Sequence, residues 1–283
     1  MARPLRVQEA GLTYHVMSRG NAKMKIFVDD LDYARFLEIY AEAVDRYELD
    51  GLVMCLMPNH SHLVFRTRLA NLSTAMHFVN GKYTQWWNRR HRRVGHVLQG
   101  RFKGQIVETG VYLRRLCGYV LRNPLRANLV AHPSQWPWSS YSALARNEST
   151  ATTRLDALAR ALDPDMAPSC VALLLDSVDP DGEAEMADFV RNDRRIIGTD
   201  AFATRFRARA MKASREVPLR ERRIGSPSLP MLLAESIQRG ERLDGGVRTA
   251  AAAGHSLTEI AQCAGLSPRT VAKLVNRRCA AVN

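Results

Sequence analysis

Two histidines separated by one residue are the sharpest chemical feature of the sequence. His60 and His62 open a run of strand-forming residues that follows the turn Pro58-Asn59. Because residues i and i+2 of a strand point to the same face, the two imidazoles are expected to project together. Two imidazoles on one face are natural ligands for a single divalent metal ion. An isolated His-x-His pattern also occurs without a metal, so the spacing alone leaves both interpretations open.

A tyrosine and an asparagine one helical turn apart form the second candidate. Tyr119 and Asn123 lie at positions i and i+4 of a helix predicted over Val111–Asn123, so their side chains are neighbours. A phenol that attacks a phosphate needs charge stabilisation near a metal, and an amide oxygen one turn away could complete the shell of that metal. Tyr112 is the rival nucleophile, although its i+4 partner is Leu116, which cannot bind a metal. Core packing is the alternative for either tyrosine.

The elements that position these residues alternate between short strands and longer helices. The hydrophobic pattern and the turn residues predict extended segments at 12–17, 52–57, 60–65, 94–98 and 105–107, and helices at 29–47, 72–88 and 111–123. Asp29 or Asp30 is expected to cap the first helix, and Pro124 ends the last one. The strands at 52–57 and 60–65 are expected to form a hairpin. The order predicts an α+β fold, with one antiparallel sheet covered by helices.

The positive charge of the chain is concentrated around these candidates. The sequence has 283 residues and a net charge of +13, from 41 Lys or Arg and 28 Asp or Glu. Residues 51–147 contain 14 of the bases and a single acid, Glu108, so the rest of the chain is neutral in total. A localised excess of this kind predicts a polyanionic partner.

Composition also excludes several classes of protein. The sequence has no apolar run of 18 residues, so no membrane-spanning helix and no membrane partner are expected. Its first residues lack the apolar core of a signal peptide. The five cysteines are scattered and form no CxxC pair, which argues against zinc ribbons and disulfide frameworks. We therefore expect a reduced, cytoplasmic protein that associates with the nucleoid.

Three regions differ in charge. Residues 1–147 are expected to form the basic, catalytic domain, and residues 148–200 an acidic connecting segment. Within it, residues 176–188 are expected to be an acidic linker or an exposed loop. Residues 201–283 are expected to form a helical, DNA-binding domain.

A helix-turn-helix is predicted at residues 256–276. Ala261 suits a close helix crossing, Gly265 suits a left-handed turn, and Ser267 followed by Pro268 suits the start of a helix. The exposed face of that second helix would carry Arg269, Thr270 and Lys273, so it could enter the major groove of duplex or structured DNA. A plain helical hairpin with a solvated basic face is the alternative.

Several ordered motifs together resemble the REP-associated tyrosine transposases, which belong to the single-tyrosine HUH (IS200-like) transposases. The resemblance covers about residues 5–145, and the C-terminal part is similar to the DnaA-like helix-turn-helix extension of some members. The motifs that carry it are Tyr14-His15-Val16-Met17-Ser18-Arg19-Gly20-Asn21, Cys55-Leu56-Met57-Pro58-Asn59-His60-Ser61-His62, Tyr83-Thr84-Gln85-Trp86-Trp87-Asn88-Arg89-Arg90-His91, Gly95-His96-Val97-Leu98-Gln99-Gly100-Arg101-Phe102-Lys103, Tyr119-Val120-Leu121-Arg122-Asn123-Pro124-Leu125-Arg126-Ala127 and Trp136-Pro137-Trp138-Ser139-Ser140-Tyr141.

The resemblance implies a ferredoxin-like, RRM-like sheet and a reaction that cleaves and rejoins single-stranded DNA. His60 and His62 would hold Mg²⁺ or Mn²⁺, with Asn123 assisting, and Tyr119 would attack a scissile phosphate of single-stranded DNA. The attack would leave a 5′-phosphotyrosine and a free 3′-hydroxyl, which can reverse the attack and rejoin strands. Hairpins of the REP palindrome type would be the substrate. One departure is Ser61, at a position that is usually bulky and hydrophobic in the family.

The basic block interleaves cations with aromatic side chains, as in proteins that track a phosphate backbone and stack on unpaired bases. The alternative is an amphipathic helix whose tryptophans are core and whose arginines are solvated. A non-catalytic DNA-binding regulator and an RNA-binding module are the rival functions, and a monomer and a homodimer both fit. The residues assigned to DNA binding are Arg19, Lys82, Trp87, Arg89, Arg90, Arg92, Arg93, Arg101, Lys103, Arg122, Arg126, Arg269, Thr270 and Lys273.

Overall fold

The computed structural model divides the chain into two compact units. One comprises residues 8–198, and the other comprises residues 199–283 together with residues 1–7. The structure describes residues 7–172, 180–192, 195–212, 229–230, 233–234, 243–252, 255 and 257–276. In these residues no helix combines the length and the apolar character that crossing a membrane requires.

The first unit contains five strands and seven α-helices within its described residues. The strands are β1 (Thr13–Arg19), β2 (Leu49–Met57), β3 (His60–Thr67), β4 (Lys103–Val107) and β5 (Ile196–Ile197). The helices are α1 (Asp30–Arg46), α2 (Leu72–Arg90), α3 (Val111–Leu121), α4 (Asn123–Arg126), α5 (Tyr141–Ala145), α6 (Leu155–Leu162) and α7 (Pro180–Arg191).

The strands form one sheet in the order β2-β3-β1-β4-β5. The pairs β2–β3, β1–β3 and β1–β4 are antiparallel, and the two-residue β5 is added in parallel to the edge of β4. The predicted α+β class and the predicted hairpin are therefore confirmed. The extended segment predicted at 94–98 is not a strand: its one ladder contact is a bridge between Gly20 and Leu98. Only its second half packs on the fold, since Val94 is 97% exposed and Val97 is 2% exposed.

Helices α1 and α2 are joined by a buried carboxylate. Asp29 caps α1 by accepting hydrogen bonds from the backbone N–H groups of Leu31 and Asp32. The Asp32 carboxylate is fully buried and pairs with Arg90 and His91 at the end of α2. A buried carboxylate with two such partners holds the end of one helix against the start of the other.

The described residues between 148 and 198 contribute to the core of the first unit, whereas the acidity of this stretch predicts a connecting segment. Leu158 of α6 and Met186 of α7 are fully buried in the same core cluster as α3 and the sheet. Apolar residues at helical spacing within an acidic sequence form an amphipathic helix, and a count of charges alone misses this. The stretch predicted as exposed, 176–188, overlaps α7 from Pro180 onward.

The second unit is helical in its described residues. It contains α8 (Asp200–Lys212), α9 (Leu243–Ala252), α10 (Leu257–Ala264) and α11 (Pro268–Asn276). Val247, Ile260, Ala261 and Val271 are buried together. Gly265, with φ of +66°, makes the turn between α10 and α11, as the left-handed conformation favours glycine. The Ser267 hydroxyl accepts a hydrogen bond from the Thr270 N–H and so caps α11.

Candidate active site

The histidine pair lies at the start of β3, the strand between β1 and β2 in the sheet. The ring centroids of His60 and His62 are 4.9 Å apart, with the ring planes 75° apart. Ser61 between them is 1% exposed and points to the opposite face, as strand alternation requires. The strand therefore brings two imidazoles together on one face.

Helix α3 places a tyrosine beside this pair. The rings of Tyr119 and His62 are 6.1 Å apart and meet edge to face at 77°. The rival, Tyr112, stacks instead on Phe189 of α7 at a centroid distance of 6.5 Å. Only one of the two candidate nucleophiles therefore lies against the histidine pair.

Asn123 opens the short helix α4 directly after the tyrosine helix. Its side-chain amide donates hydrogen bonds to the backbone carbonyls of Tyr119, at 3.2 Å, and Val120, at 3.3 Å. The amide nitrogen thus satisfies carbonyls at the end of α3, and the Oδ1 atom keeps its acceptor capacity. No cluster of three or more His, Cys, Asp or Glu side chains suited to a metal occurs among the described residues. Any third ligand from this part of the chain would be of another type, such as this amide.

The protonation of the two histidines suits metal binding. Burial and the positive charge of Arg19 lower the pKa of His60 to about 4. Burial is also the main cause that lowers the pKa of His62, with the charges of His60, His15 and Arg126 adding to it. Both rings are therefore neutral near pH 7, which is the form that binds metals.

The ring nitrogens also fit a cation at the Nε2 positions. The Nδ1 atom of His60 is hydrogen-bonded to the Asn59 side chain at 2.6 Å, and the Nδ1 atom of His62 is hydrogen-bonded to His15 at 2.8 Å. The Nε2 atoms are consequently the ones suited to ligate a divalent metal.

Arg126 of α4 lies over the tyrosine. Its guanidinium carbon is 4.1 Å from the centroid of the Tyr119 ring, and the guanidinium donates a hydrogen bond to the Tyr119 carbonyl. Burial lowers the pKa of Arg126. The Glu183 carboxylate of α7 pairs with both Arg122 and Arg126. These two predicted DNA-binding arginines therefore have an acidic partner from a distant segment of the chain.

The remaining predicted DNA-binding residues of the first unit fall into two groups. Arg19 is exposed at the end of β1 and pairs in register with His60. The other exposed cations are Arg89, Arg92, Arg93, Arg101 and Lys103. This group lies at the surface, as binding to a phosphate backbone requires.

Three others have partners within the fold. Trp87 is only 3% exposed and packs on His91 at a centroid distance of 4.4 Å, so it is not a surface on which a base can stack. Arg90 is committed to the carboxylates of Asp29 and Asp32, and Lys82 pairs with Glu42 of α1. The signal for Trp87 was in the sequence: it lies four residues after the buried Tyr83, on the buried stripe of α2.

In the second unit, Arg269, Thr270 and Lys273 are exposed on α11, as predicted. The Thr270 hydroxyl lies 2.8 Å from the Ser267 hydroxyl and so takes part in capping the helix.

Comparison with known proteins finds that part of the first unit is similar to transposases. The family described as "Transposase IS200 like" matches residues 8–122, a segment that contains the histidine pair and Tyr119. The resemblance to IS200-like, REP-associated tyrosine transposases predicted from the motifs is thereby confirmed. A Haemophilus influenzae protein described as a REP-associated tyrosine transposase is 23% identical over 117 residues, which are 38% of this chain and 66% of that protein.

Two solved structures are similar in part. A REP-associated tyrosine transposase bound to a REP hairpin matches with 16% identity and a TM-score of 0.46, over 54% of this chain and 92% of that one. A Deinococcus radiodurans protein described as a transposase matches with 13% identity and a TM-score of 0.31, over 45% of this chain and 92% of that one.

Proposed function

We propose that the first unit is a metal-dependent single-stranded DNA endonuclease and strand transferase that works through a covalent 5′-phosphotyrosine. One observation carries this proposal: the Tyr119 ring lies 6.1 Å from the ring of His62. A phenol beside a pair of neutral imidazoles combines a nucleophile for phosphoryl transfer with two donors that suit a divalent metal.

The reaction exchanges one phosphodiester bond for another. The Tyr119 Oη atom attacks the scissile phosphorus and loses its proton to solvent, forming the tyrosine–phosphate bond. The bond from phosphorus to the 3′ oxygen breaks, and that oxygen leaves as a hydroxyl after taking up a proton. Attack by a 3′-hydroxyl on the phosphotyrosine reverses these steps and joins strands.

The residues that would hold the cation are His60 and His62 through their Nε2 atoms, with Asn123 as the candidate third ligand. Bound Mg²⁺ or Mn²⁺ would supply Lewis-acid stabilisation of charge on the phosphate. Arg126 adds a fixed positive charge over the tyrosine ring, close to where the negative charge of the scissile phosphate would lie. Arg19, beside His60, is placed to hold a neighbouring phosphate.

The proposed substrate is single-stranded DNA that contains a hairpin of the REP type. The exposed arginines of the first unit support binding to a phosphate backbone, and the family match supports DNA as that polyanion. In the second unit, the exposed Arg269 and Lys273 of α11 support a further contact with duplex or structured DNA.

The adduct itself is the decisive measurement. Labelled single-stranded oligonucleotides with varied hairpins are incubated with the protein and Mn²⁺, and the digested protein is searched by mass spectrometry for nucleotides attached to tyrosine. We expect an adduct on Tyr119. Binding without any adduct across the hairpins would support the non-catalytic DNA-binding regulator instead.

Removing the acidic partner of the two arginines is expected to strengthen DNA binding. In Glu183→Gln, Arg122 and Arg126 lose a carboxylate that competes with phosphate, so the affinity for single-stranded DNA should rise about 3-fold to 10-fold at low salt. The affinity should also fall more steeply as salt increases. Fluorescence anisotropy over a salt series measures both effects.

The matched control is Glu185→Gln on the same helix. Glu185 pairs with Arg115 of α3, so this variant makes the same change in net charge at a different ion pair. An equal gain in affinity in both variants would show that total charge, and not the release of Arg122 and Arg126, is responsible.

A further inference from the structure

Each of the two candidate histidine ligands, His60 and His62, is held at its Nδ1 atom by hydrogen bonds that lead to a backbone carbonyl. The link from His60 is short. Its Nδ1 atom is 2.6 Å from the Oδ1 atom of Asn59, and the Nδ2 atom of Asn59 donates to the Lys23 carbonyl at 3.2 Å. Because an amide oxygen can only accept, the proton of the first bond lies on Nδ1 of His60.

The link from His62 is longer and fully buried. His62 Nδ1 is 2.8 Å from His15 Nε2, His15 Nδ1 is 2.9 Å from Gln105 Oε1, and Gln105 Nε2 donates to the Phe189 carbonyl at 3.2 Å. His15, His62 and Gln105 are each 2% exposed or less.

The donor and the acceptor of each of these hydrogen bonds follow from the Phe189 carbonyl, at which the series ends. The Phe189 carbonyl accepts, so the Gln105 amide nitrogen faces it and the Gln105 oxygen faces His15. That oxygen also accepts, so His15 carries its proton on Nδ1. In a neutral His15 the Nε2 atom is then an acceptor, and the proton between the two rings belongs to His62 Nδ1. The opposite orientation of the Gln105 amide would place its oxygen against the Phe189 carbonyl oxygen, and two acceptors cannot form a hydrogen bond.

We propose that Asn59 and the His15–Gln105 pair are positioning residues that keep His60 and His62 in the Nδ1–H tautomer and present both Nε2 atoms to one divalent cation. Partners of this kind fix the orientation of metal-binding histidines in general. The role of the cation rests on the proposed function. The tautomers are a property of the metal-free protein and are tested without it.

The first experiment records long-range proton–nitrogen correlations of the metal-free full-length chain, labelled with ¹⁵N-histidine. We expect the Nδ1–H tautomer for His15, His60 and His62, assigned by single substitutions of each. An Nε2–H tautomer at His60 or His62 would overturn the proposal.

The second experiment compares Asn59→Ala and Gln105→Leu with Gln85→Leu, a control that removes an exposed amide from α2. We expect Asn59→Ala to release the tautomer of His60 alone and Gln105→Leu to release that of His62. Each should weaken Mn²⁺ binding, measured by calorimetry, by about 10-fold. The control should change neither property.

Two outcomes separate this proposal from the proposed function. Wild-type protein that keeps both Nδ1–H tautomers but binds no Mn²⁺ would contradict the function and support the tautomer assignment. Variants that keep both the wild-type tautomers and the wild-type Mn²⁺ affinity would contradict the positioning role. Because Gln105 is buried, urea unfolding is used to identify a Gln105→Leu variant that has merely lost its fold. In that case Asn59→Ala, which lies in a surface turn, tests the positioning role.

Discussion

The Tyr119→Phe variant is expected to form no covalent adduct with DNA and to lose at least about 10³-fold in cleavage rate. The substitution removes the phenolic oxygen that attacks phosphorus and keeps the ring that packs against His62 and under Arg126. Affinity for the hairpin oligonucleotide should therefore stay within about 2-fold of the wild type, because the cations that bind phosphate are untouched. Cleavage is followed on labelled hairpins with Mn²⁺, and affinity by anisotropy.

Tyr112→Phe is the matched control, since it removes the same oxygen from the same helix. Tyr112 stacks on Phe189 and does not lie against the histidine pair, so this variant should cleave at the wild-type rate. Loss of cleavage in Tyr112→Phe together with retention in Tyr119→Phe would move the nucleophile to the other tyrosine.

The parts of the site that could be predicted are those governed by local geometry. Strand alternation places His60 and His62 on one face whatever the rest of the fold does. Helical spacing makes Asn123 a neighbour of Tyr119, and the structure finds its amide bonded to the Tyr119 carbonyl. These relations depend on neighbours within four residues, and a sequence contains them directly.

The parts that could not be predicted depend on contacts between distant segments. Glu183 lies 61 residues from Arg122, and Gln105 lies 90 residues from His15, so no local pattern relates them. The same holds for Arg90, which looks like one more surface cation until the fold places it against the buried Asp32. A charge count treats all arginines alike, whereas tertiary structure decides which of them face solvent.

Removing both imidazoles is expected to eliminate metal-dependent cleavage. In the variant His60→Ala with His62→Ala, both nitrogen donors of the proposed cation site are lost, so calorimetry should detect no specific Mn²⁺ binding. The cleavage rate should fall by at least about 10³-fold, because several kcal/mol of charge stabilisation at the phosphate are lost with the cation. Affinity for the hairpin measured without metal should change little, since both histidines are neutral near pH 7 and carry no charge toward phosphate.

The loss of one imidazole from an exposed position serves as the control for this variant. His77 lies exposed on α2, and His77→Ala should bind Mn²⁺ and cleave DNA as the wild type does. The single variants His60→Ala and His62→Ala add a further distinction. If both rings hold one cation, removing either ring should abolish most of the affinity for Mn²⁺. If each ring were an independent weak site, each single variant would keep about half of the bound Mn²⁺. Undiminished cleavage in the double variant would show that the histidine pair holds no catalytic cation, and the chemistry would then rest on Tyr119 and the surrounding arginines.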